Sequence, residues 1–189
     1  MIASLYKRFR YLLHHTKRQL LYGNVLRQAK HRSFDFVEQH NLKHVLVLCY
    51  GNIYRSPFVD QLLQKYTAQN DDAVKSAGFY YKSGRPSPDS HIVMSRQFDI
   101  DLSQHKSTVI SDALIDWADV IVIMDLPNWI KLKSLAPNAL SKTIWLGAFC
   151  EDDNIEIPDP YGKDPDTIHQ ILTRLNNGAT KLANKLFNV

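Results

Sequence analysis

The stretch Cys49-Tyr-Gly-Asn-Ile-Tyr-Arg55-Ser-Pro57 combines a thiol, a guanidinium six positions on and a hydroxyl next to it. With two Cys and nine Arg in 189 residues, that spacing alone decides little. The flanks decide more. The apolar run from His44 to Leu48 reads as a buried strand, and Phe58, Val59, Leu62, Leu63 and Tyr66 recur at helical spacing behind Pro57 in a first turn. A loop that leaves a central strand and enters a helix N-terminus gathers backbone N–H groups into an anion cradle. Gly51 would permit a tight turn and close approach to a ligand, and Asn52 tolerates a left-handed backbone. A thiol in this setting is held as thiolate by the helix dipole, the N–H groups and Arg55. Arg55 can also grip two phosphate oxygens at once, which Lys cannot. The alternative for Cys49 is a small buried core residue, the usual fate of a free cysteine.

The elements around this loop predict an α/β fold. Residues 73–77, 119–124 and 143–146 read as further strands, short, apolar and without alternation, as expected for a parallel sheet with helices on both faces. Helical segments are predicted over 88–98 and 127–135. A polar loop from Glu151 to Asp166 precedes a last helix with Ile168, Ile171, Leu172, Leu175, Ala179, Leu182 and Leu186 on one face. Repeats are absent.

Charge divides the chain near residue 44. Residues 1–44 carry nine Lys or Arg against two acids, whereas residues 45–189 carry fourteen against seventeen, so a net charge of +4 is a +7 arm on a −3 body. As a helix, the arm would place Ile2, Leu5, Tyr6, Phe9, Leu12, Leu13 and Leu20 in one apolar arc with the bases outside it. Such a basic amphipathic helix packs on its own domain or a second copy, or lies on an anionic membrane surface. Nucleic acid is the weaker reading. The two cysteines have no metal or disulfide spacing, and no apolar run is long enough to span a membrane. These features predict a cytoplasmic protein, with peripheral membrane contact as the alternative for the arm.

Residues 45–57 resemble the signature of the low-molecular-weight protein tyrosine phosphatase family, an apolar strand followed by Cys-x-Gly-Asn-x-x-Arg-Ser-Pro. The resemblance spans residues 44–188, through Ser76-Ala-Gly78, Gly84 to Asp89, Asp101-Leu-Ser-Gln-His105, Met124-Asp125 and Asp159-Pro-Tyr-Gly162 in the family's order. It implies a four-stranded parallel sheet of the phosphotyrosine phosphatase I type, with residues 1–43 as a helical extension and 44–189 as the catalytic domain. It also implies metal-free and cofactor-free hydrolysis of phosphotyrosine through a cysteinyl-phosphate.

By that resemblance Cys49 is the nucleophile, and the loop from Tyr50 through Gly51, Asn52, Ile53, Tyr54, Arg55 and Ser56 binds phosphate. Asp159 is then the general acid and later the base. Read without the family it would be a solvated turn residue before Pro160. Ser56 is implied to donate to the Cys49 sulfur, and Ser76 with His105 to hold Asn52. Asp125 either braces Arg55 or caps the helix over 127–135. Tyr50, Tyr161 and the run Phe79-Tyr80-Tyr81 are candidate walls for an aryl ring, with plain packing as the alternative. Where many family members carry a second cysteine before the arginine, this chain has Tyr54. The implied partner is a phosphotyrosine protein such as a tyrosine kinase. An arsenate reductase-like redox enzyme and a phosphatase of non-protein phosphomonoesters are the alternatives.

Overall fold

The computed structural model describes residues 2–67 and 72–187, with the side chains of residues 2–17 and Gln19 outside the description. In chain order the elements are α1 (Ile2–Gln39), β1 (Val45–Cys49), α2 (Arg55–Gln64), β2 (Val74–Gly78), α3 (Asp89–Ser95), α4 (Asp112–Trp117), β3 (Val120–Ile123), α5 (Leu126–Leu135), β4 (Thr143–Trp145) and α6 (Pro165–Phe187). The four strands are parallel in the order β2-β1-β3-β4.

Strand alternation sorts the apolar residues into two layers. Val45, Val47, Cys49, Val122 and Ile144 face α2 and α6, against Phe58, Leu62, Leu172 and Leu175. Leu46, Leu48, Ile121, Ile123 and Trp145 face α4 and α5, against Ile115, Leu126 and Leu132. Because both faces are covered, β1 and β3 are buried at every residue, which is why they read as unbroken apolar runs.

The predicted strands appear within a residue of their expected bounds, and the 88–98 segment splits into α3 and a 3₁₀ turn, Arg96–Phe98. Helix α4 was not predicted. It has six residues and one buried side chain, Ile115, too few for a periodic pattern, and it is nucleated by Ser111, whose Oγ accepts the Leu114 N–H.

Helix α1 runs unbroken to Gln39 and lies along the open edge of β4. Ala29 joins one core layer and Val37 the other, so the helix straddles the sheet edge. Ser33, fully buried, donates to the Ala29 carbonyl at 2.6 Å and accepts the outward Trp145 N–H at 3.0 Å. A side-chain oxygen thus satisfies an edge-strand donor that would otherwise be unpaired. Of the apolar arc predicted over residues 2–20, all but Leu20 lie outside the described side chains, and Leu20 is 81% exposed.

Candidate active site

The loop after β1 folds back over its own first residue. Cys49 is buried, and its Sγ accepts the Asn52 N–H at 3.2 Å, with Ser56 Oγ at 3.1 Å. The Ser56 oxygen also accepts from Asn52 Nδ2 at 2.9 Å, and its proton has the sulfur and, at 3.5 Å, the Ala77 carbonyl as acceptors. Helix α2 begins at Arg55, so its N-terminal positive end faces this loop.

Asn52 carries the left-handed backbone, φ 50°, as its residue type allows, and Gly51 stands outside that region. Three contacts hold it. Its Oδ1 accepts the Thr108 N–H at 2.7 Å, its carbonyl lies 2.7 Å from His105 Nε2, and its amide bonds Ser56. Burial pushes His105 below the ordinary histidine range, so the neutral ring donates from Nε2. Ser76 does not take part, contrary to expectation. Its hydroxyl donates to Asp60 Oδ2 at 2.7 Å, because that position of β2 faces α2. The Asn52 side chain is met instead by the Thr108 backbone. Gly78, at the end of β2, has the close approach: a Cβ there would lie 2.8 Å from the Asn52 nitrogen and 2.9 Å from the Tyr50 carbonyl oxygen.

Among the described residues Arg55 is the largest fully buried side chain. Its Nη1 donates to Asp125 Oδ2 at 2.5 Å and to the Ile157 carbonyl at 3.0 Å, and its Nη2 to Asp159 Oδ2 at 2.8 Å. Burial opposes the charged guanidinium, but Asp125 foremost, then Cys49 and Asp159, outweigh it and hold Arg55 protonated. Its Nε is buried without a partner. A buried cationic donor left open beside a thiol marks a place for an anion's oxygen. Asp125 takes both roles that the sequence left open, because its other oxygen accepts the Asn128 N–H at 2.8 Å and caps α5.

Asp159 reaches this centre on the 151–164 loop. The Ile157 N–H bonds the Met124 carbonyl at the end of β3, and the loop crosses Gly147 so closely that a Cβ there would sit 2.2 Å from the Ile155 oxygen. Cys49, Tyr50, Gly51, Ile53, Tyr54, Tyr80, Arg85, Asp159 and Tyr161 line one pocket of about 340 Å³. Tyr81 is not among them: it stacks outside Tyr80 with ring centroids 4.6 Å apart and is solvent-exposed. Phe79 turns to the α5 side of the sheet, since consecutive residues alternate direction.

The family model for low molecular weight phosphotyrosine protein phosphatase matches residues 44–188. The chain belongs to this family. It is similar to low molecular weight protein-tyrosine-phosphatase Wzb of Escherichia coli K12, at 32% identity over 143 residues, covering 76% of this chain and 95% of that one. Among solved structures, Vibrio vulnificus Wzb in complex with benzylphosphonate superposes with a TM-score of 0.68 at 29% identity over 77% of this chain and 99% of that one. The YwlE arginine phosphatase of Geobacillus stearothermophilus superposes equally well, with a TM-score of 0.68 at 26% identity over 76% and 92%.

Three residues of this phosphatase site carried no role in the sequence. Arg85 stacks over Tyr80 at 4.0 Å and donates to the Gly51 carbonyl. It lies in the Gly84–Asp89 motif, which marked the segment but not the guanidinium. His91 places Nε2 3.0 Å from the Tyr54 carbonyl, and Thr108 acts through its backbone, which no side-chain pattern reveals.

Proposed function

We propose that this phosphatase hydrolyses phosphotyrosine in proteins in two steps, without metal, through a cysteinyl-phosphate on Cys49. The Cys49 sulfur attacks phosphorus and the P–O bond to the tyrosine breaks, while Asp159 gives its proton to the leaving phenolate. Water then attacks phosphorus while Asp159 takes a proton from it, the P–S bond breaks, and phosphate departs from the Cys49 sulfur. The loop N–H groups and Arg55 stabilise the charge on the equatorial oxygens. Arg55 Nη2 donates to Asp159, so a phosphate on Cys49 competes for the guanidinium and leaves the carboxyl to the leaving oxygen. Ser56 donates to the sulfur and eases its departure from phosphorus.

The observation that carries this reading is the open, buried Nε of Arg55 beside Cys49, with Asp159 at the mouth of the same pocket. Tyr50, Tyr54, Tyr80 and Tyr161 offer ring faces for an aryl phosphate. Cys150 sits between α6 and the turn after β4, its thiol raised by burial, and it does not line the pocket, which favours hydrolysis over a disulfide relay to Cys49. Two free thiols suit a cytoplasmic, reducing compartment, where a tyrosine kinase is a suitable substrate. The unit from residue 44 onward carries the chemistry, and residues 1–43 are an extension of it.

The test is a panel of phosphotyrosine, phosphoserine and phosphoarginine peptides, a sugar phosphate and arsenate, with and without EDTA. Hydrolysis of the phosphotyrosine peptide that resists EDTA and disappears in Cys49→Ser is expected. Asp159→Ala should slow poor leaving groups most, by about 10²–10⁴-fold. Activity surviving Cys49→Ser, or a preference for phosphoarginine or arsenate, would overturn the reading.

A further inference from the structure

Beside the catalytic pocket lies a larger groove of about 820 Å³, and the two share Asp159. Leu21 and Tyr22 of α1 form one wall, Leu126, Pro127 and Ile130 of α5 the other, and Pro158 the end nearest the acid. We propose that this groove is a peptide subsite of the phosphatase, holding apolar residues that flank the phosphotyrosine in the substrate chain. The inference rests on the phosphatase reading and adds to it where the flanking chain goes.

Continuity carries the first part of the argument. A phosphotyrosine seated on Cys49 fills the smaller pocket, and at about 3.3 Å per residue its neighbours in an extended chain leave across the rim. On the Asp159 side the rim opens into this groove. Chemistry carries the second part. Arg18 pairs with Glu156 and Asp125 with Arg55, and Asp159 serves the leaving oxygen, so no charged side chain lining the groove is left for the flanking chain to pair with. What remains to be covered is apolar: Leu21 is 59% exposed and Ile130 38%. The opposite rim differs, with Arg85 over Tyr80 and Lys131 5.3 Å from the Tyr50 ring, so the two sides of the catalytic pocket ask for different neighbours of the phosphotyrosine.

The groove is also braced. The Tyr22 ring meets Trp129 of α5 edge-on at 6.0 Å. Glu156 receives Arg18 of α1 and the Leu126 N–H at 2.8 Å, which ties both walls to the loop that carries Asp159. One wall comes from residues before 44, outside the segment that matches the family, so the subsite belongs to this chain's extension.

The full-length protein is assayed with a phosphotyrosine peptide bearing Leu or Ile on both flanks, the same peptide with Ala flanks, and p-nitrophenyl phosphate, which fills the catalytic pocket alone. The apolar peptide should show about tenfold higher kcat/KM than the Ala peptide, the equivalent of burying part of one leucine side chain. Leu21→Glu and Ile130→Glu should each collapse that ratio through KM. Loss of p-nitrophenyl phosphate hydrolysis in the unaltered protein refutes the phosphatase reading itself. Hydrolysis with no preference between the peptides, or with a preference that survives both substitutions, refutes the subsite alone. So does a Leu21→Glu variant whose peptide ratio is unchanged while it loses self-association in sedimentation or binding to phosphatidylserine vesicles.

Discussion

Asp60→Asn should stabilise this protein at pH 8 and do almost nothing at pH 4. Asp60 lies in α2 with its carboxyl partly buried, accepting from Ser76 Oγ and Gln64 Nε2, both at 2.7 Å. Burial outweighs these hydrogen bonds and pushes the group up from an ordinary 3.8 to about 6. A carboxyl raised in the folded state binds its proton more tightly when folded than when unfolded. Stability therefore falls as pH rises from about 4 to 6, and the full cost applies above that window. A shift of this size corresponds to about 3 kcal/mol at pH 8 and about 0.5 kcal/mol at pH 4. The neutral amide keeps the shape and an acceptor for Ser76 while removing the charge, so the variant should recover that difference, roughly 6–12 °C in Tm at pH 8. The pH profile of the unaltered protein would not reveal this, because His91 contributes with opposite sign. Burial lowers His91 to about 4, so it weakens the fold as pH falls from 6.5 toward 4. The difference between variant and parent in urea unfolding at the two pH values isolates Asp60. Equal gains at both, or none at pH 8, would refute the reasoning.

Three further outcomes are expected. Ser33→Ala leaves the buried Trp145 N–H without its acceptor and should cost about 1–3 kcal/mol in urea unfolding at neutral pH. Asp125→Ala removes the α5 cap and one of Arg55's carboxylates together, and should cost about 3 kcal/mol along with most of kcat. Asp125→Asn keeps the cap and should recover about 1 kcal/mol of that loss without restoring kcat. Gly78→Ala forces the loop away from a Cβ that would lie 2.8 Å from the Asn52 nitrogen, and should lower kcat for p-nitrophenyl phosphate by more than its loss of Tm would suggest.

The sequence alone determined the layered α/β plan and the chemistry of the loop. Burial of β1 and β3 on both faces leaves unbroken apolar runs, and Cys49, Asn52, Arg55 and Ser56 are near neighbours whose roles follow from local geometry at a strand end and a helix start. Contacts between distant segments were decided only in the folded molecule. Ser76 turned to Asp60 because β2 presents that position to α2, and Asn52 was taken by a Thr108 backbone N–H that every residue type but proline would offer. Asp125 both braces and caps, since one carboxylate has oxygens enough for two donors and the fold brings both within reach. The arm read as a basic amphipathic helix with its own domain, a second copy or a membrane as the surface it covers, because residue order records the stripe and not what the helix lies against. Its position along β4, with Ser33 on the Trp145 N–H and Arg18 on Glu156, required the sheet edge and the acid-bearing loop to exist first. Short-range pattern is written in residue order, whereas these pairings join separate elements of the chain and arise only when packing closes it on itself.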